Sequence, residues 1–235
     1  MLTVLNPFDK HQPFPPVDKA LREPNGLLAM GGCLSPERLC NAYRHGIFPW
    51  FGENEPILWW SPDPRLVLRP ERVKVSRSLG KRLRRGEFAF THDVCFADVV
   101  EACAGPRSMV AGTWITADMK RAYRRLYEQG SAHSFEAWRE GELVGGLYGV
   151  ALGRVFFGES MFHRATDASK AAFAHACGRL AEWGYALIDC QVHTQHLASL
   201  GAGEIPRREF VHLLEAYCEQ AAAPGAWQPS REDIR

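Results

Sequence analysis

The sequence predicts an α+β protein in which a small N-terminal unit precedes a mixed, mainly antiparallel sheet flanked by helices. Three observations predict it. The first sixty residues are dense in turn formers and aromatics (NPFDKHQPFPP, HGIFPWF, PILWWSPDPR); a stretch around Gly141 and Gly153 alternates like three consecutive strands; and capped amphipathic helices surround that stretch. At 235 residues, 46% of them hydrophobic, the chain can bury a core as one large domain or two small ones.

The elements follow in order. Pro36 after Ser35 suits a first helical position, so SPERLCNAYRHG reads as a helix with Leu39, Ala42 and Tyr43 inward, ended by Gly46. Asp63, Pro64 and Arg65 lead into alternating LVLRPERVKV, expected to open the second unit, which places the boundary at Ser61 and the units at 1–61 and 62–235. Ser76 or Ser78 caps a short helix through Arg84, closed by Gly86. In ITADMKRAYRRLYEQG, Thr116 caps, Asp118 sits in the first turn, and Met119, Ala122, Tyr123, Leu126 and Tyr127 form one stripe ending at Gly130. SFEAWRE, ELVGGLYGVALG and RVFFGESMF then read as a three-stranded meander turning at Gly141 and Gly153. A helix from Thr166 or Asp167 to Trp183 is stopped by Gly184; YALIDCQV is a strand, HTQHLASLG a short helix, and REFVHLLEAYCEQAA a last amphipathic helix.

Composition removes several function classes. Seven cysteines without a CxxC fit reduced, mostly buried thiols better than a disulfide framework or a structural zinc site. No stretch reaches the ~18 apolar residues of a membrane helix, and MLTVLNPFDKHQPFPP lacks the basic start and apolar middle of a signal peptide, so a cytoplasmic protein is expected. Neither GxxxxGK[ST] nor a strand followed by GxGxxG occurs, which argues against ATP use and NAD binding. His193 and His196 make an HxxH without a third ligand, so no metal site is expected. Net charge is +1, but RPERVKVSRSLGKRLRRG carries eight cations, Arg69, Arg72, Lys74, Arg77, Lys81, Arg82, Arg84 and Arg85, against the single acid Glu71. Such a run either draws in a phosphate backbone or is simply a solvated face.

Candidate chemistry gathers on two strands. In YALIDCQVH, alternation puts Asp189 and Gln191 on one face and Ile188, Cys190 and Val192 on the other, with His193 at the strand's end. Polar groups on a strand that otherwise looks buried require partners, either a structural network or a substrate. In FFGESMF, Phe157, Glu159 and Met161 share a face, so Glu159 can meet Asp189 and Gln191 across neighbouring strands and offer acceptors to an amine or cation. A Cys190–His193 nucleophile is opposed by the same alternation. Trp50, Trp59, Trp60 and Trp114 are core residues or the walls of a cleft near the boundary, able to stack on a base or bury an apolar side chain.

Taken together, REPNGLLAMGG, YRHGIFPWF, PILWWSPDPR, GTWIT, ELVGGLYGV, FFGESMF, ASK, LIDCQV and ASLGAGEIPRREF resemble the leucyl/phenylalanyl-tRNA–protein transferase family from about Leu21 to Phe210. The resemblance implies an N-terminal domain followed by an acetyltransferase-like (GNAT) domain. It also implies a monomeric bacterial cytoplasmic enzyme that moves Leu or Phe, and less well Met, from aminoacyl-tRNA to proteins beginning with Arg or Lys, marking them for degradation. It makes Asp189 and Gln191 the catalytic pair and Glu159 their substrate-binding neighbour. Trp50 and Trp114 become residues of the cleft for the terminal adenosine and its amino acid, and the basic run from Arg69 to Arg85 the surface for the acceptor stem. Two departures stand out. HRATDASK replaces the glycine-rich pyrophosphate loop of acetyl-CoA-binding relatives, so no cofactor is implied, and Leu147 in the donor pocket stands where the family has Met. Two rival classes remain: a non-catalytic RNA-binding protein and an acetyltransferase acting on amines.

Overall fold

The computed structural model describes residues 2–105 and 113–228. In chain order the elements are β1 (Thr3–Leu5), β2 (Leu27–Gly31), α1 (Pro36–Arg44), β3 (Phe48–Pro49), β4 (Leu58–Trp60), β5 (Arg65–Leu68), α2 (Arg77–Arg84), β6 (Ala89–His92), α3 (Phe96–Ala104), α4 (Ala117–Glu128), β7 (Ala132–Arg139), β8 (Glu142–Leu152), β9 (Val155–His163), α5 (Ala168–Glu182), β10 (Leu187–Gln191), α6 (Gln195–Ser199), β11 (Gly203–Ile205) and α7 (Arg207–Tyr217). Strands β1–β4 form a four-stranded sheet in the order β1-β2-β4-β3, and the remaining strands form a seven-stranded sheet in the order β11-β5-β10-β9-β8-β7-β6. Every pairing in the larger sheet is antiparallel except β9 with β10. The expected fold class, mixed sheet with flanking helices, is therefore the observed one.

Capping explains most helix starts. Ser35 Oγ accepts from Arg38 N–H, Ser76 Oγ from Leu79 N–H and Thr116 Oγ1 from Met119 N–H, each taking one of the orphan donors of a first turn. Ser76, not Ser78, is thus the cap of α2. At α5 the expectation is off by a residue: Asp167 takes φ 65° and makes no side-chain cap, so the helix begins at Ala168. The expected strand LVLRPERVKV also ends early. Pro70 has no N–H to give a ladder, and Pro70–Arg72 turns as a short 3-10 helix. β6 and β11 are too short to stand out in the sequence; α3 is an element that sequence reasoning missed, although Phe96, Val99, Val100 and Cys103 are buried at helical spacing.

The two larger cores lie on opposite faces of the large sheet. One joins α1, α3, α4 and α7 to the small sheet through Tyr43, Trp59, Tyr123, Tyr148, Phe157 and Phe210. The other packs Phe173, Ala176 and Leu180 of α5 on Leu147, Phe156 and Ile188. At the centre, β8 and β9 are pressed together at Gly149, where a Cβ would stand 2.3 Å from the carbonyl oxygen of Phe157 and 2.6 Å from its neighbour's ring at Phe156. Gly149→Ala is therefore expected to destabilise the fold by about 2 kcal/mol, read by urea denaturation, because backbone rather than a flexible side chain must give way. A loss below a few tenths of a kcal/mol would show that the strands part easily.

Candidate active site

The parallel pairing of β9 with β10 stops at Phe157 opposite Asp189, although both strands continue. Each carries a bulge just there. On β9, Tyr148 pairs with Ser160 and Gly149 with Gly158, leaving Glu159 as the extra residue; on β10, Asp189 and Gln191 pair with successive residues of β5, leaving Cys190 extra. A gap opens between the carboxyl ends of the two strands, and a cavity of about 490 Å³ occupies it. Carboxyl ends of parallel strands are a common place for ligands, because side chains and loops converge there while the sheet holds them rigid.

The bulge on β9 also changes which face its side chains take. Phe156 lies in the core under α5 and Phe157 in the core under α4, yet beyond the bulge Met161 packs on the α5 side and Phe162 on the α4 side. Phe157, Glu159 and Met161 therefore do not share one face. One inserted residue reverses the period-two pattern, and Met161 crosses over. On β10 the expected alternation holds through the carboxylate: Ile188 and Cys190 pack in the α5 core, while Asp189 turns to the other side.

This crossing gives the cavity two chemically different walls. Leu147, Met161, Phe173, Ile188, Cys190 and Leu197 supply an apolar wall toward α5. Glu159 and Gln191 supply polar groups toward the small sheet, whose Trp50 and Trp60 stand at the rim with Trp114. Trp50 is 50% exposed, its ring 5.5 Å from that of Trp60, and Trp60 Nε1 donates to the Trp50 carbonyl oxygen at 2.6 Å. The structure thus brings Asp189, Gln191, Glu159, Trp50, Trp114 and Leu147 to one cavity. His193 is exposed and lies outside the lining, whereas His196 borders it.

Hydrogen bonds fix the polar wall. Glu159 Oε1 accepts from Tyr43 Oη at 2.9 Å and from Gln191 Nε2 at 3.1 Å, Glu159 Oε2 accepts from Tyr123 Oη, and the two tyrosine hydroxyls lie 2.8 Å apart. Burial first, and then the negative charge of Asp189, raise the Glu159 carboxyl to about 7 against the lowering by the two tyrosine hydroxyls and Arg65. Burial together with the charge of Glu159 holds both tyrosines well above the ordinary phenol range. Asp189 is differently placed. Its oxygens accept from Arg65 Nε at 2.8 Å, Arg65 Nη2 at 2.6 Å and Gln191 N–H at 2.9 Å.

A family model for leucyl/phenylalanyl-tRNA protein transferase matches residues 67–215, and the model for the N-terminal domain of the same proteins matches residues 32–63. This chain belongs to the leucyl/phenylalanyl-tRNA–protein transferase family. Curated relatives bearing that name include one from Methylococcus capsulatus, 60% identical over 234 residues and covering all of both chains. Another, from Nitrosomonas europaea, is 62% identical over 84% of each chain. Among solved structures, a GCN5-related N-acetyltransferase from Kribbella flavida is 14% identical, with a TM-score of 0.36 over 70% of this chain and 58% of that one. Like its relatives, this leucyl/phenylalanyl-tRNA–protein transferase family member is an aminoacyltransferase.

The basic run of this transferase starts beside the cavity. Lys74 N–H donates to the Leu200 carbonyl oxygen at 2.8 Å, just past α6, whose His196 and Leu197 border the cavity, and α2 carries the run onward. Arg69, Arg72, Lys74, Arg77, Lys81, Arg84 and Arg85 are exposed. Arg82 is turned back onto the protein, 3.2 Å from Glu87 and 3.4 Å from Asp167, which leaves it less free for phosphate than its neighbours. The rim near α6 is positive as well: after burial, Lys170 and His163 are what lower the His196 pKa. Among the described residues, no helix is long and apolar enough to cross a membrane.

Sequence reasoning missed Tyr43, Tyr123 and Arg65. The tyrosines read as members of apolar stripes, and the available signal was their hydroxyls, which need partners once buried. Arg65 offered a similar signal as a cation in the first position of a strand buried at all four residues.

Proposed function

We propose that this enzyme moves Leu or Phe, and less readily Met, from aminoacyl-tRNA to the α-amine of proteins beginning with Arg or Lys, by aminolysis of the tRNA ester without a cofactor. The observation that supports this reading best is the two-walled cavity: an apolar wall for the donor side chain faces a polar wall for an amine, at a gap in the sheet. In this reading Trp50 and Trp114 receive the terminal adenosine, and Leu147 belongs to the donor pocket. One methylene is worth only about 1–3 kcal/mol in such a pocket, so Leu, Phe and Met are ranked rather than absolutely separated. Charged donors are disfavoured by desolvation.

The ribose ester is already activated, and an α-amine of reference pKa about 7.7–8.0 is partly neutral near neutrality, so no strong base is needed. The gain comes from alignment. With Gln191 Nε2 committed to Glu159, the amide oxygen is left to accept an N–H of the attacking amine. Asp189 holds Gln191, the proton leaves through the ribose hydroxyl or a water, and Glu159 supplies the negative charge for the acceptor's cation. We further propose that the enzyme works in the cytoplasm as a monomer, with a domain boundary near Ser61. In that division residues 1–61 contribute to the aminoacyl-tRNA cleft and residues 62–235 form the catalytic domain.

The test is transfer of labelled Leu or Phe from charged tRNA to an Arg-starting peptide. Tight RNA binding without transfer would favour a binding protein instead, and acetyl-CoA-dependent product an amine acetyltransferase. The exposed cations from Arg69 to Arg85 are assigned to the acceptor stem. Replacing Arg84 and Arg85 by Ala is therefore expected to reduce the slope of log affinity against log salt by about 2, measured by tRNA filter binding. An unchanged slope would place the stem elsewhere.

A further inference from the structure

We propose that Arg65 is a positioning residue of the reaction: it withdraws Asp189 from proton transfer and uses it to hold Gln191 in a left-handed backbone conformation. The inference rests on the role given to Gln191 above. Gln191 has φ 62°, a region that a non-glycine residue enters only when its surroundings hold it there. What holds it is the Asp189 Oδ1 atom, which accepts the Gln191 N–H at 2.9 Å. That oxygen is in turn fixed by Arg65 Nε at 2.8 Å, while Nη2 takes Oδ2 at 2.6 Å, a planar fork on a planar carboxylate. Three of about four acceptor positions on Asp189 are filled, and neither side chain of the pair has any surface open to solvent.

Arg65 is itself immobilised. Its guanidinium lies 4.7 Å from the Phe48 ring centroid and 4.6 Å from that of Phe210, and Nη1 donates to the Gly46 carbonyl oxygen at 3.1 Å. It thus ties the small sheet, β10 and α7 to one carboxylate. A lysine could carry the charge but could neither fork onto Asp189 nor stack between two rings. The chain of fixation runs from Phe48 and Phe210 to Arg65, to Asp189, to the backbone of Gln191 and so to its amide, 3.1 Å from Glu159. A carboxylate gripped in this way by a guanidinium and a backbone N–H is poorly suited to receive a proton. Its value is geometric.

The experiment measures steady-state transfer, its pH profile and thermal unfolding for wild type, Arg65→Lys, Asp189→Asn and the double variant, at a temperature where each is folded. Arg65→Lys is expected to lower kcat about 30-fold, with KM for charged tRNA and for acceptor within about twofold and the pH midpoints unmoved, because misalignment affects the attack and not the binding. The double variant should be no slower than the slower single, since both break one clamp. Multiplicative losses would overturn the proposal. So would an Arg65→Lys enzyme that keeps its kcat while the acid limb of its profile moves, the behaviour of an Asp189 freed to act as base. Should Arg65→Lys fail to fold, Phe210→Leu loosens the same guanidinium and leaves the ion pair charged. An about fivefold lower kcat at unchanged KM is then expected, and an unchanged kcat overturns the clamp. Ratios to wild type are taken with whichever acceptor wild type uses. Failure of wild type to use an Arg-starting peptide counts against the proposed acceptor and not against the clamp.

Discussion

Gln191→Ala is expected to slow transfer about 100-fold while leaving the affinity for charged tRNA within about twofold, measured by single-turnover transfer beside filter binding. The asymmetry follows from where the amide sits. Its Nε2 is held by Glu159 and its backbone by Asp189, so the side chain is fixed before substrate arrives. A group so held stabilises the attacking geometry without being ordered at the moment of reaction. In the proposed reading, binding draws on other surfaces, the aromatic rim and the cations along α2, which the substitution leaves alone. Alanine keeps the left-handed backbone strain, so Gln191→Asn is the useful companion. Asn tolerates φ above zero better and keeps an amide that is one methylene too short, and partial recovery of the rate is expected. A Gln191→Ala enzyme with undiminished single-turnover rate would remove Gln191 from the chemistry altogether.

How much of this site could be read from the chain depends on how local each cause is. The cap at Thr116 and the helix start at Ser35 and Pro36 were legible, and the cap of α2 was narrowed to Ser76 or Ser78, because a hydroxyl satisfying a first-turn N–H acts within three residues. The turns at Gly141 and Gly153 were legible because φ values of 80° and 56° favour glycine. Asp189 facing away from Ile188 and Cys190 followed from the pleat. Met161 did not follow, because the bulge that moves it across the sheet lies where β8 and β9 press together at Gly149, a contact with no signature in GESM itself. What Arg65 binds was illegible for the same reason. Its partner is 124 residues away and its stacking rings come from two further elements. The polar wall is therefore a product of topology, and the motif residues mark only its ends.

Glu159 carries the second large effect, and it separates stability from activity. Its carboxyl is raised from 4.5 to about 7, first by burial. The folded protein therefore holds this proton more tightly than the unfolded chain does between those two values. Its contribution to stability is fully present below pH 4.5, is lost as pH rises through about 7, and is level above that. At pH 8 the ionised carboxylate costs the fold on the order of 3 kcal/mol relative to its protonated form. Glu159→Gln keeps the shape and an oxygen for the tyrosine hydroxyls but removes the charge. Its urea midpoint is expected to match wild type near pH 5 and to exceed it at pH 8, while the wild-type midpoint falls across that interval. Activity should move the other way. If the ionised carboxylate attracts the acceptor's cation, wild-type kcat/KM for an Arg-starting peptide rises through about pH 7 beyond what neutralisation of the amine explains. Glu159→Gln should lose that rise and about tenfold in KM for the acceptor, with donor binding unchanged. A variant that is stabilised at pH 8 yet keeps the wild-type acceptor KM would leave Glu159 as the anchor of Tyr43, Tyr123 and Gln191, and would move recognition of the cation to another carboxylate.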